Sequence, residues 1–297
     1  MNAKLDFKLL FALVGVAVIW GTTYLGIRIA VQTIPPWFVT AIRQSTASLI
    51  LLSVLLYNRE LKWIGFARLK RQMILSFLMV VIANGLTTVA EQTIPSGLTA
   101  LLLSLVPLVV FLGSVTFGLQ RPSIKGFAGV LIGFLGVAFI FRDGLGDLLN
   151  PDYALGILCL AFSILGWATG TLYIKKNAHK AENIFLDLFY QFLFSAVVQF
   201  ILALIFSGKA DPSSWSISSL MATAYLGIFG SVLGFFCFHY ALKKVTAVKA
   251  SILSYFNTII AIFLGWLVLD EVITIDILIA TVLIITGVFI TNYTRKE

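Results

Sequence analysis

Hydrophobic residues in this chain come in long unbroken runs, separated by short polar punctuation. The runs predict helices at 9–30, 37–57, 72–91, 97–118, 124–142, 154–175, 185–206, 217–240, 248–269 and 273–293. Each is close to the roughly 20 apolar residues that cross a bilayer as a helix. Turn chemistry falls between them, at Pro35-Pro36, Pro95-Ser96-Gly97, Arg121-Pro122, Asn150-Pro151 and Asp211-Pro212-Ser213. Pro107 lies well inside the fourth run, where its missing N–H predicts a break or kink. The expected fold is therefore an all-α integral membrane protein with ten transmembrane helices.

The ten divide into two sets of five, 9–142 and 154–293. Trp20, Thr22, Leu25, Ile27 and Arg28 are echoed 147 residues later by Trp167, Thr169, Leu172, Ile174 and Lys175. Further on, Ala90, Leu102, Ile124, Gly136 and Val137 are echoed at a 151-residue offset by Ala241, Leu253, Ile275, Gly287 and Val288. An odd number of spans per set makes the second copy enter the membrane from the opposite side. The prediction is a 5+5 inverted-topology repeat with a pseudo-two-fold axis in the membrane plane, the architecture of secondary transporters.

Composition agrees: 60% of the 297 residues are hydrophobic and 11% are charged. The net charge of +8 elsewhere suggests nucleic acid, but its placement here is a topology signal. Of 21 Lys and Arg, Arg28 and Arg43 lie within spans, seventeen fall on one side, and Arg142 and Lys209 fall on the other. By the positive-inside rule both termini are cytoplasmic, which places the chain in the cytoplasmic (inner) membrane. The outer side is acidic, with Glu91, Asp143, Asp147, Asp152, Asp211, Asp270, Glu271 and Asp276. The longest inner loop, Asn58 to Gln72, mixes aromatic and basic residues and reads either as an amphipathic segment on the headgroups or as a plain basic loop. Cys159 and Cys237 both fall within spans, with no disulfide or metal spacing. No phosphate-binding loop is present, and no cofactor or metal is expected.

Polar residues near mid-membrane are expensive unless they face protein or water. Arg43, about six residues in from the outer end of helix 2, is read as a clamp for a substrate carboxylate or as half of an ion pair with Glu91. Trp20 and Trp167 either pack helices or cover the apolar part of a substrate. Thr23, Asn84, Ser104, Tyr255 and Asn257 fall at central depth and complete the expected substrate-binding set. Pro107, Glu91 and His239 are expected gating or ion-pair positions, with interfacial anchoring as the alternative for His239. Asp187 and Gln191 share a face of helix 7 and belong to an inner gate or are wetted. Gly129, Gly133 and Gly136 let helix 5 approach another helix, within the fold or across a homodimer; monomer and homodimer both stand open.

Trp20-Gly21, Arg43 following Pro35-Pro36, Pro107, and Leu269-Asp270-Glu271 leading to Gly287-Val288 together resemble the EamA-type members of the drug/metabolite transporter superfamily, over essentially the full length. The first half departs at Gln120, where that family commonly repeats the glutamate seen at Glu271. The resemblance implies ten helices, a central cavity and movement of small metabolites, often export of amino acids. The expected function is a secondary transporter that moves a small amphipathic metabolite across the cytoplasmic membrane by alternating access, as an exporter of amino acids or related compounds. The alternatives are an importer or exchanger of another metabolite or drug class, a channel or lipid translocator, and a membrane-embedded enzyme. Two distant histidines and no nucleophile motif weigh against the enzyme.

Overall fold

The computed structural model describes residues 6–94, 96–140, 151–177, 183–208, 210–269 and 275–293. Arg142, Asp143, Asp147, Lys209, Asp270 and Glu271 lie outside them. The described residues form ten helical segments in series. These are α1 (Phe7–Ala30), α2 (Pro36–Tyr57), α3 (Phe66–Ala90), α4 (Ser96–Leu103 and Val106–Thr116) and α5 (Ile124–Ile140). Then come α6 (Ala154–Lys176), α7 (Ile184–Phe206), α8 (Ile217–Lys244), α9 (Ala247–Ser251 and Leu253–Leu269) and α10 (Ile275–Tyr293). Seven are long and apolar enough to span a bilayer whole, and the apolar parts of α5, α9 and α10 are shorter.

Local chemistry sets the ends. Side chains of Asp6, Asn183, Ser216 and Thr246 accept from backbone N–H groups in the first turns of α1, α7, α8 and α9. After α4, Gly118 takes φ 66°, and the N–H groups of Gly118 and Leu119 return to Val115 O (3.1 Å) and Ser114 O (2.8 Å). That is the left-handed glycine ending of a helix. Helix α3 starts at Phe66 rather than near 72, so Arg68, Lys70 and Arg71 sit on helix and the loop before it shortens to 58–65. Hydropathy marks the bilayer, and a helix outruns it when its first turns are basic.

Helix α4 is interrupted between Leu103 and Val106, with Pro107 in the first turn of its second piece. Helix α9 is interrupted at Ile252 without a proline. Helices α3 and α8 each contain a π-helical stretch, Ser76–Gly85 and Leu226–Leu233, which periodicity does not reveal. The irregularities thus fall in corresponding helices of the two halves.

Packing follows the same correspondence. Helix α2 packs on α7 and α5 on α10; α1 lies against α8 and α9, as α6 lies against α3 and α4. Arg28 Nη1 donates to the backbone carbonyls of Glu91 (2.6 Å) and Gln92 (3.3 Å), at the end of α3. Its repeat counterpart Lys175 donates through Nζ to Leu242 O (2.9 Å) and Val245 O (2.6 Å), at the end of α8. Each cation satisfies the orphan carbonyls of a helix C-terminus in its own half.

The glycines of α5 are used internally. A Cβ on Gly129 would meet Thr291 N at 2.7 Å and Gly287 O at 2.8 Å, and one on Gly133 would meet the Tyr255 ring. The close face of α5 is therefore filled by α9 and α10 of the same chain. At the start of α1, Asp6 pairs with Lys244, and this hydrogen bond, with the Leu9 amide, holds the Asp6 carboxyl below the usual carboxylate range.

Candidate functional site

A cavity enclosing about 750 Å³ of empty space, counted out to its mouth, opens where the halves meet. Helices α1 to α4 line it from the first half, and α6, α8 and α9 from the second. The breaks in α4 and α9 border it through Leu103, Val106, Ser251 and Leu253.

Its apolar wall is an aromatic cluster. The ring of Trp20 lies 5.0 Å from that of Trp167 at an interplanar angle of 84°, so the two repeat counterparts meet edge to face. Phe235 and Phe238 of α8 pack on both indoles, at 5.2–5.7 Å. Trp20 Nε1 donates to Gly230 O in the π-helical stretch of α8, at 3.0 Å. This bond fixes the indole plane, as a buried indole N–H requires.

The polar wall is sparse. Arg43 is 2% exposed, its Nε donates to Ser231 Oγ at 2.8 Å, and its Nη1 is buried with no hydrogen-bond partner. Gly230 makes room for the guanidinium, since a Cβ there would stand 3.1 Å from Nη2. The π-helical register of α8 thus presents both a carbonyl to Trp20 and a hydroxyl to Arg43. Such stretches recur at functional sites because they redirect side chains and expose backbone groups. Asn257 satisfies its amide nitrogen on Ala17 O (3.2 Å) and Leu253 O (2.9 Å), tying α9 to α1. Asn84 Nδ2 reaches Met79 O at 3.3 Å, and Thr87 meets Ser163 across the halves at 2.8 Å.

Trp20, Thr23, Arg43, Asn84, Trp167 and Asn257 all line this cavity. Ser104 and Tyr255 do not: Ser104 Oγ bonds back to Leu101 O (2.6 Å), and Tyr255 OH donates to Val130 O of α5 (2.7 Å). They sit in or just beyond the interruptions of α4 and α9, where the change of helical phase turns them from the cavity. Glu91 is fully buried, but neither carboxylate oxygen has a hydrogen-bond partner, so the direct Arg43–Glu91 pair is not formed. His239 is 7% exposed and packs beside Phe235 and Phe238, so its ring faces protein. Asp187 is 9% exposed and Gln191 fully buried. Asp187 Oδ1 accepts from Arg68 Nε (2.8 Å) and Gln72 Nε2 (2.7 Å), and Gln191 Nε2 donates to Gln72 Oε1 (2.7 Å), a buried seam joining α3 to α7.

Sequence reasoning missed Phe235, Phe238, Thr87 and Ser163. With 25 phenylalanines in the chain, residue type alone does not select two of them. The available signal was helical phase: Thr87 lies three residues beyond Asn84, and Ser163 four before Trp167. Among the described residues no group of three or more metal-binding side chains occurs.

Comparison with known proteins gives this cavity a context. The family model described as the EamA-like transporter family matches residues 7–142 and again 154–293. The uncharacterized transporter YoaV of Bacillus subtilis (strain 168) is 27% identical over 290 residues, 97% of either chain. The uncharacterized inner membrane transporter YedA of Escherichia coli (strain K12) is 29% identical over 260 residues, 87% of this chain and 81% of YedA. Protein PagO of Salmonella typhimurium (strain LT2) is 26% identical over 299 residues, 99% of this chain and 95% of PagO. A solved crystal structure matches with a TM-score of 0.78 at 19% identity, covering 96% of this chain and 97% of its own, which shows a shared fold. With one family model matching twice along a ten-helix membrane chain, the protein is a membrane transporter and belongs to the EamA-like transporter family.

Proposed function

We propose that this chain is a secondary transporter that exports a small amphipathic metabolite, an amino acid or a related compound, across the cytoplasmic membrane by alternating access. The observation that carries the reading is the pairing, in one cavity between two repeats, of an aromatic wall with an arginine whose Nη1 lacks an acceptor. A guanidinium matches a carboxylate in shape and charge, and the rings of Trp20 and Trp167 suit the apolar remainder of such a solute. Rocking of one repeat against the other would expose that cavity alternately to the two sides.

Purified protein is expected to gain thermal stability with its substrate, because a ligand selective for the folded state shifts unfolding by mass action. In liposomes the same compound is expected to show saturable flux and counterflow. A panel of amino acids and analogues with no stabilisation and no flux would exclude this substrate class. Robust uptake by energised cells without efflux would reverse the direction.

The same reading puts both termini in the cytoplasm. In a background with Cys159 and Cys237 replaced, an impermeant thiol reagent added outside is expected to label Ser214→Cys and spare Lys70→Cys; both positions are exposed. The opposite pattern would invert the topology and move Arg43 to the inner half.

A further inference from the structure

Glu91 stands one helical turn outward of the cavity-lining Thr87, and its own N–H closes the helix onto Thr87 O at 3.0 Å. It is fully buried, and neither carboxylate oxygen meets a donor. The charges that act on it are Arg28 of α1 and Arg43 of α2, and it acts in turn on Tyr24 of α1. Both arginines are engaged elsewhere: Arg28 Nη1 on backbone carbonyls, Arg43 Nε on Ser231. Helix α6, also packed on the outer end of α3, brings Gly156 against Ile94 and Ser163 against Thr87, and among the described residues no titratable group of α6 acts on Glu91.

A structural role does not account for this carboxyl. The repeat counterpart of Glu91 is Leu242, and Lys175 caps α8 there without any acid, just as Arg28 caps α3. Nor is an ionised group at ease in it. A carboxylate removed from water and from every donor is strongly disfavoured, a penalty the protonated form escapes. Arg43 Nη1 is meanwhile a buried donor without an acceptor. An unbonded acid and an unbonded guanidinium nitrogen in one region form a two-state element, waiting on a proton or a solute carboxylate.

We propose that Glu91 is a proton-binding site of the transport cycle, protonated in the sealed conformation and exchanging its proton with the outer solution when the cavity opens outward. This rests on the transporter reading above. When the outer side opens, water reaches the carboxyl, the O–H proton passes to water, and the carboxylate left behind becomes an acceptor for Arg43, which displaces a solute carboxylate from it. A proton taken from outside restores the acid and frees Arg43 for the next solute. The proton returns to the side it left, so no net proton crosses with the solute, and the outer pH gates solute release.

The test is infrared difference spectroscopy of the reconstituted full chain at neutral and alkaline pH. Wild type is expected to show the carbonyl stretch of a protonated, weakly hydrogen-bonded carboxylic acid at neutral pH, which Glu91→Gln lacks. A neutral-pH wild-type spectrum without that band, or one in which Glu91→Gln retains it, overturns the proposal. Should Glu91→Gln fail to insert, Glu91→Asp keeps the acid, and its band is expected at a shifted frequency; an unshifted band assigns it to another residue and overturns the proposal. In a second arm, proteoliposomes carry radiolabelled amino acids across an imposed pH gradient. Wild-type efflux is expected to fall several-fold when the receiving side is acid, because Glu91 then keeps its proton and leaves the solute on Arg43, with no fall in Glu91→Gln. An equal fall in both, or no fall in wild type, overturns the proton's place in the cycle. If no amino acid moves at all, the substrate reading fails, while the infrared band still decides the state of Glu91.

Discussion

Exchanging Gly129 for alanine is expected to remove most of the folded protein from the membrane. The added Cβ would face backbone atoms, Thr291 N at 2.7 Å and Gly287 O at 2.8 Å, which no rotamer change relieves. Overpacked cores ordinarily lose about 1–3 kcal/mol. Here α5 and α10 must separate along their common face, and the expected loss lies at or above the top of that range. A fluorescent fusion run by size exclusion in mild detergent reads this as collapse of the monodisperse peak. Gly15→Ala is the matched control, because its Cβ would meet only Cys237 Sγ, at 3.4 Å, and ordinary behaviour is expected. If Gly129→Ala is as stable as Gly15→Ala, α5 and α10 are not in backbone contact.

The second large effect is functional. Arg43→Lys is expected to lower flux about tenfold to a hundredfold while leaving insertion intact. A hydrogen bond to a charged group is worth roughly 1.5–3 kcal/mol, and about 1.4 kcal/mol is a factor of ten. Lysine keeps the charge but not the fork, so one ammonium must serve Ser231 and the solute in turn. Arg43→Gln should do at least as much damage. Expression-normalised counterflow in liposomes measures both. Wild-type rates in the two variants would remove the carboxylate clamp. Rescue of a poorly inserting Arg43→Gln by Glu91→Gln would make Arg43 a structural counter-charge to Glu91.

Level along the helix axes was legible in the sequence; rotation about a helix axis was not. Counting from the ends of apolar runs brings Trp20, Asn84, Trp167 and Asn257 to the level at which the cavity lies. Ser104 and Tyr255 share that level yet face protein, because α4 and α9 are interrupted beside them and the 3.6-residue phase does not carry across. Pro107 announced the first interruption. Nothing comparable announced the one at Ile252, nor the π-helical stretches that aim Ser231 at Arg43 and Gly230 O at Trp20. These depend on which neighbour packs against the helix, a property of the assembled fold. The start of α3 was displaced for another reason: the apolar run ends at the bilayer surface, whereas hydrogen bonding continues to Phe66.

The edge-to-face contact of Trp20 with Trp167 has an optical consequence. Two indoles 5.0 Å apart and nearly perpendicular couple their electronic transitions, and the coupling depends steeply on separation and angle. One ring belongs to each repeat, so a shift of one half against the other changes the near-ultraviolet circular dichroism directly. Trp63 and Trp215, partnered with Phe66 and Phe38, lie outside this pair and supply a steadier background. The protein therefore carries a built-in, label-free chromophore pair between its two repeats. The part of its dichroism lost in Trp20→Phe or Trp167→Phe is the part that would report a shift of one repeat against the other, as the proposed alternating access requires.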